Sequence, residues 1–144
     1  MMAPVPKVKL DIDKIKDQLA SLMKIAKTKS WKFAYDEELD CLYYSPEELK
    51  GNLITFSFDK EFTFYIDTKS NIHGFFIEYF STNFLEHEKK FKELPGMMTK
   101  EENGLKVVPK KDQEKSELVE TALVSEVMSG FFQNTKNLKD LVVA

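Results

Sequence analysis

The chain has 144 residues, of which 42% are hydrophobic, and its formal net charge is −3. This length allows one domain with a sizeable hydrophobic core. All 21 basic residues are lysines, and because arginine supplies the planar group that reads guanine and grips phosphate, the composition argues against sequence-specific recognition of nucleic acid.

Residues 1–10 contain two prolines and are expected to form a loose start to the chain. Residues 11–29 are predicted to form one helix, because their apolar residues recur every three or four positions. Asp11 suits the N-cap, and lysines near the other end suit the helix dipole. The apolar stripe, which we expect to be buried against a sheet or another chain, consists of Ile12, Ile15, Leu19, Leu22 and Ala26.

From residue 31 to residue 80 the sequence alternates apolar and polar residues and is rich in aromatics, a pattern typical of an antiparallel sheet. The strands are predicted at 31–35, 41–44, 53–58, 62–66 and 72–80. Lys60 and Glu61 lack the glycine or asparagine of a two-residue hairpin. The third and fourth runs are therefore either one long bent strand or two strands, and the sheet has four or five.

The last of these strands is apolar on both faces, which is typical of a strand that is covered on both sides. One face carries Phe75, Ile77 and Tyr79, and the other carries Ile72, Phe76 and Phe80. The second layer comes either from the carboxyl-terminal part of the chain or from a partner. The row Phe75, Ile77 and Tyr79 is the candidate interaction face.

The rest of the chain is predicted to be helical, apart from a charged connection at 95–115. A short helix is expected at 85–94, a longer one at 116–132, and a final short one around Leu138, Leu141 and Val142. We expect the helices of residues 116–144 to cover the second face of the sheet. The apolar side of the longer helix is predicted to consist of Leu118, Val119, Ala122, Leu123, Val127 and Phe131.

These elements predict a single α+β domain over residues 1–144, with the amino-terminal helix on one face of the sheet and the carboxyl-terminal helices on the other face or at one end.

Three carboxylates are candidates for catalytic work, because paired carboxylates can divide the roles of acid and base. Asp36 and Asp40 lie at predicted strand ends, where aspartate more commonly stabilises a turn. Glu78 interrupts an apolar strand, so it lies either in solvent at a sheet edge or in a cleft with a raised pKa.

Cysteine and histidine give no further candidates for chemistry. Cys41 has no cationic neighbour in sequence to activate it, so we expect a buried, inert thiol. His73 and His87 are the only histidines, and they lack the close ligand spacing of a zinc site. The five glycines never cluster, which excludes a phosphate-cradling loop. We expect neither a metal nor a cofactor.

One pattern resembles a family of small bacterial and archaeal domains of unknown function. It consists of Tyr35-Asp36, then Asp40-x-Leu42-Tyr43, then Asp67, and then Ile72-His73-Gly74-Phe75. The resemblance covers residues 31–80 and implies a small antiparallel sheet. Some members look like partners of small toxins, which implies a binding module. Phe76 stands where the family has glutamate, and no glycine follows Asp67 in its turn.

The absence of any catalytic motif favours a non-catalytic protein-interaction module. The resemblance implies an antitoxin-like or immunity-like kind, and the order of helix, long sheet and helix with an acidic charge is similar to that of secretion chaperones. Its partner would be another protein or a second copy of the chain. The alternative is a small enzyme or apolar-ligand binder with an aromatic-lined cleft and a carboxylate as its polar group. The sequence shows neither a leader segment nor an apolar run of membrane-spanning length, so we expect a cytoplasmic protein without a membrane partner.

Overall fold

Nine strands and four helices make up the part of the chain that the computed structural model describes, residues 8–135 and 140–143. The strands are β1 (Val8–Asp11), β2 (Lys32–Asp36), β3 (Cys41–Ser45), β4 (Leu53–Ser57), β5 (Phe62–Asp67), β6 (Ile72–Ile77), β7 (Thr99–Lys100), β8 (Lys106–Val107) and β9 (Asp140–Val143). The helices are α1 (Ile12–Leu19), α2 (Leu22–Thr28), α3 (Leu85–His87) and α4 (Gln113–Thr135). A π-helical turn spans Phe80–Phe84, and 3-10 turns span Lys89–Phe91, Pro95–Met97 and Lys110–Asp112.

Seven strands form one antiparallel sheet in the order β4-β5-β6-β3-β2-β8-β7. The predicted α+β class and antiparallel sheet are confirmed, whereas the predicted number of four or five strands is too low. The extra strands, β7 and β8, have two residues each, which is too short to produce a readable alternation. They lie inside the predicted charged connection.

The third and fourth predicted strands are separate and form a hairpin, β4 with β5. In the turn between them, Asp59 Oδ1 accepts a hydrogen bond from the backbone N–H of Glu61 at 2.9 Å. An aspartate side chain therefore stabilises this turn without glycine or asparagine.

The strands β1 and β9 form a sheet of their own, with Val8 opposite Val143 and Asp11 opposite Asp140. Two expectations are wrong here, because residues 8–10 are not loose and residues 140–143 are not helical. The β-branched residues of β9 favour a strand once β1 offers an edge to pair with. Residues 1–7 and Leu138 lie outside the described residues.

The predicted continuous helix at 11–29 is instead two helices, α1 and α2, separated at Ala20 and Ser21. Gln18 of α1 donates to the backbone oxygen of Ser70 at 2.6 Å and accepts from the N–H of Ile72 at 2.8 Å, which anchors α1 to the β5–β6 turn. Both helices contact α4, and α1 also contacts β9.

One face of the large sheet, the inner face, carries the hydrophobic core. A row of aromatic residues runs across it, with Tyr44 opposite Phe33 and Phe75, and Phe64 opposite Phe75 and Phe56. Phe131 of α4 is fully buried against this row, with ring centroids 5.6 Å from Phe64 and 6.2 Å from Phe56.

The helices α1, α2 and α4 therefore cover the same face of the sheet. The expectation that the carboxyl-terminal helices cover the face opposite to the amino-terminal helix is wrong. The buried side of α4 is also rotated from the prediction, since Leu118 is 81% exposed. The buried residues of α4 are Ser116, Leu123, Val124, Val127, Phe131 and Thr135.

The opposite, outer face carries a half-buried aromatic group, Tyr43, Tyr65 and Phe76. The Phe76 ring lies 5.9 Å from the Tyr43 ring and 5.1 Å from the Tyr65 ring. Tyr65 pairs across the ladder with Gly74, where a Cβ atom would stand 2.6 Å from Ser45 Cβ. The aromatic group thus fills a place that the neighbouring strand leaves without a side chain.

Candidate functional site: the groove beside strand β2

A groove of about 1150 Å³ runs beside the first half of β2, and we call it the β2 groove. One wall consists of residues 30–34 with Tyr43 and Tyr65, and the other of Leu105 and residues 107–110 with the first two turns of α4. The groove is partly open to solvent and is not an enclosed cavity.

The groove exists because the β2–β8 ladder is short. Its register pairs Tyr35 with Lys106 and Ala34 with Val107 and then ends. A continued register would place Pro109 opposite Lys32, and proline has no N–H to donate. Among the described residues, Lys32 and Phe33 therefore have a strand neighbour only on the β3 side.

The aromatic residues that line the groove on the inner face of the sheet hold one another in place. Trp31, which is 6% exposed, packs edge-on against Tyr44 with ring centroids 5.6 Å apart. Tyr44 also packs against Phe33 at 4.6 Å and Phe75 at 5.4 Å. Because these rings hold one another, the groove wall is formed before any ligand arrives.

Glu120 of α4 is the half-buried carboxylate of the groove. The Tyr44 hydroxyl donates to Glu120 Oε2 over a long 3.4 Å. Burial raises the pKa of Glu120, and the nearby negative charge of Glu117 adds to the effect, while the Tyr44 hydroxyl opposes it. The exposed Lys27 lies 3.8 Å from Glu117. A cationic group entering the groove would therefore stabilise the ionised form of Glu120.

The charge of the groove is negative, since its lining includes five glutamates and three lysines. The glutamates are Glu47, Glu101, Glu114, Glu117 and Glu120, and the lysines are Lys27, Lys32 and Lys110.

The structure brings none of the three predicted catalytic candidates into this groove. Asp36 accepts from the backbone N–H groups of Glu38 and Leu39 at 3.0 and 3.2 Å, as expected for a turn. Glu78 is exposed just after β6, so it does not lie in a cleft.

Asp40 is a structural clamp between the β2–β3 turn and the π-helical turn. It accepts from the Tyr35 hydroxyl at 2.6 Å, and from the N–H and hydroxyl groups of Ser81 (2.8 and 2.7 Å) and Thr82 (3.1 and 2.8 Å). Burial alone would raise the pKa of Asp40, but these hydrogen bonds outweigh it and hold the pKa at about 2. With all these donors engaged, the carboxylate is an unsuitable base.

The predicted interaction row is divided by burial. Phe75 and Ile77 are fully buried in the core and cannot meet a partner, whereas Tyr79 is 59% exposed. The strand ends at Ile77, and Tyr79 takes a left-handed conformation with φ of 53°. The predicted interaction face is wrong because the alternation of side chains along β6 ends where the backbone leaves the strand.

Each histidine is paired with a carboxylate. His73 Nε2 lies 2.9 Å from Asp67 Oδ2 in the β5–β6 turn. His87 Nε2 lies 2.7 Å from Glu61 Oε1, and Glu61 also accepts from Asn83 Nδ2 at 3.0 Å. These pairs tie turns to neighbouring segments. Cys41 is buried, and burial raises the pKa of its thiol to about 11.

The sequence pattern did not identify three residues of the groove, Trp31, Tyr44 and Glu120. Glu120 could have been found from the sequence, because it lies three residues before Leu123 and seven before Val127, both on the predicted apolar side of this helix. A lone carboxylate on a buried helix stripe is a signal for a site. The groove could not have been found, since it depends on where β8 ends.

Two further observations hold for the described residues alone. No helix there is long and apolar enough to cross a membrane. No group of three or more histidine, cysteine, aspartate or glutamate side chains there could hold a metal ion.

Comparisons of the chain with protein-family models, with curated proteins and with solved structures find no match.

Proposed function

We propose that the chain is a non-catalytic protein-interaction module that binds an extended segment of another protein in the β2 groove. The observation that carries the proposal is the short β2–β8 ladder, which leaves Lys32 and Phe33 without a strand neighbour on the groove side among the described residues. A strand added there would gain main-chain hydrogen bonds along β2, as in other cases of strand addition.

The surroundings of the groove support a protein partner. Tyrosine and tryptophan line it on both sides of β2, and these residue types are enriched at protein interfaces. A nucleic acid is a poor occupant, because the lining is negative and the chain contains no arginine. Capture of a partner's segment suits the antitoxin-like, immunity-like or secretion-chaperone-like roles expected from the sequence.

The test is selection from a random library of short displayed peptides against the full chain, followed by binding measurements with Leu49→Asp. Leu49 lines the groove and is 39% exposed, so its replacement should remove binding without unfolding the protein. The matched control is Leu39→Asp, because Leu39 is 66% exposed and lies outside the groove lining. Equal binding by both variants, or a selection that yields no binder, would refute the proposal.

A second candidate function rests on Glu120 alone. A half-buried carboxylate beside Tyr44 and Trp31 is also the arrangement expected of a small-molecule site with one polar group. In this alternative Glu120, and not Asp36, Asp40 or Glu78, is the carboxylate that serves as the polar group of the cleft. A fragment screen that follows the Trp31 indole signal by NMR decides this alternative. It requires fragments that shift the Trp31 signal in the native protein and lose this effect in Glu120→Gln.

A further inference from the structure

The β2 groove reaches both faces of the sheet, and this defines the shape of its occupant. Five consecutive residues, 30–34, line it, although side chains of consecutive strand residues point to opposite faces. The inner-face residues Phe33 and Tyr44 line it together with the outer-face residues Ala34 and Tyr43. A space that surrounds a strand edge on both sides matches an added strand better than a compact ligand.

The two sides of the groove differ in chemistry. On the inner side, α4 presents Glu117 and Glu120, which lie three residues apart on the helix and therefore on one face. On the outer side, the lining includes Ala34, Tyr43 and Tyr65, together with Lys32, which shares this face with Ala34 because the two residues lie two positions apart along β2.

We propose that the occupant is an extended peptide segment in which basic and apolar residues alternate, and this inference rests on the proposed function. In a strand added to β2, every second side chain would point toward α4 and meet the carboxylates of Glu117 and Glu120. The intervening side chains would lie on the outer face beside Lys32 and Ala34 of β2, with Tyr43 one strand further into the sheet, and an apolar side chain there avoids placing a second cation beside Lys32. The free edge at Trp31–Phe33 spans about 10 Å, so about three extended residues fill it and a segment of about six residues extends past it at both ends.

The negative charge of the groove favours a partner segment with positive charge. Lys27 neutralises part of the Glu117 charge through a contact at 3.8 Å, but both side chains are largely exposed. Exposed pairs of this kind are weak and exchange partners readily. A lysine or arginine of the partner can therefore take the place of Lys27 or join it. It would also pair with Glu120, on which the Tyr44 and Ser116 hydroxyls and the charges of Glu117 and Lys27 act.

The test uses capped six-residue peptides of lysine and valine, one with the two residues alternating and one with three lysines followed by three valines. Trp31 is the only tryptophan of the chain and lines the groove, so its fluorescence reports binding directly. We expect the alternating peptide to bind about tenfold more tightly than the blocked one, because only alternation fits both sides of β2.

The role of the two α4 carboxylates is tested with the double variant Glu117→Gln and Glu120→Gln, which should weaken binding of the alternating peptide by about tenfold or more. The matched control is Glu86→Gln with Glu93→Gln, since both residues are exposed, lie outside the groove and give the same change in net charge. Equal weakening by the two double variants would show general attraction to an acidic protein and would overturn the inference.

Failure of this inference can be distinguished from failure of the proposed function. If the library yields acidic or uncharged peptides whose binding depends on Leu49, and the alternating lysine–valine peptide does not bind, the groove is a peptide site and the inferred partner chemistry is wrong. Equal affinity of the alternating and blocked peptides would likewise overturn the inference.

Discussion

The Asp40 clamp makes a strong prediction about stability, because one carboxylate joins two segments that are far apart in sequence. Replacement by asparagine keeps the size of the side chain and suits the left-handed conformation of this position, where φ is 51°. Asparagine offers only one acceptor oxygen, so either the Thr82 pair of hydrogen bonds or the Ser81 and Tyr35 group is lost. The variant Asp40→Asn therefore isolates the hydrogen bonding and charge of the carboxylate.

The magnitude follows from the pKa of Asp40, which falls from the ordinary 3.8 to about 2. A shift of this size corresponds to about 2.5 kcal/mol of stability if it is taken in full. Asp40 is only partly buried, and screening by solvent reduces the expected loss in Asp40→Asn to about 1 to 2 kcal/mol. Because the pKa is lowered in the folded state, this stability is present above about pH 4 and is lost as the pH falls toward 2.

The assay is urea unfolding of the native protein and of Asp40→Asn at neutral pH and near pH 2.5. We expect the midpoint of the variant to be lower by about 0.5 to 1 M at neutral pH, and the difference between the two proteins to shrink in acid. Glu78→Gln is the control, because Glu78 is an exposed carboxylate nearby in the fold. A difference that is equally large at both pH values would refute the charge-based explanation.

Three other changes test the packing and the thiol. Gly74→Ala should destabilise the protein by about 2 kcal/mol or more, because the added Cβ meets Ser45 at 2.6 Å and φ is +153°; Gly96→Ala, with open space around it, should be nearly neutral in the same urea assay. Phe131→Ala should cost about 3 to 5 kcal/mol through loss of its buried ring, whereas Phe132→Ala should cost far less, and similar losses would contradict the position of α4. Cys41, with a pKa of about 11, should react slowly with a thiol reagent at neutral pH and faster as the pH rises; rapid labelling of the folded protein would show that the thiol is accessible and activated.

The periodic part of the sequence predicted the sheet well. Strands β2 to β6 lie where alternation of apolar and polar residues placed them, because a pleated strand buries every second side chain. Alternation fixes which residues share a face, but it does not say which face a helix covers. The placement of α4 beside α1 and α2 was therefore missed.

Short and terminal elements were missed for a different reason. The β1–β9 and β2–β8 pairs join strands distant in sequence, and β7, which pairs locally with β8, has only two residues, so the local pattern of these strands is weak. The candidate site suffers from the same difficulty. Glu120 stands out on the stripe of α4, but the groove around it depends on Pro109, which ends the β2–β8 pairing. A proline in a charged connection gives no sign of such a role.

The pairing of β1 with β9 has a consequence for the order of folding. The two strands lie almost a whole chain length apart in sequence, so among the strand pairs of the described residues their contact closes the largest loop. The entropy of this closure opposes pairing until the large sheet has brought the two ends together. The β1–β9 pair should therefore form late and open early, with faster amide hydrogen exchange than β5 and β6. A circularly permuted chain that joins β9 to β1 through a short linker would turn this last step into a local hairpin, and it should fold faster than the natural order of elements.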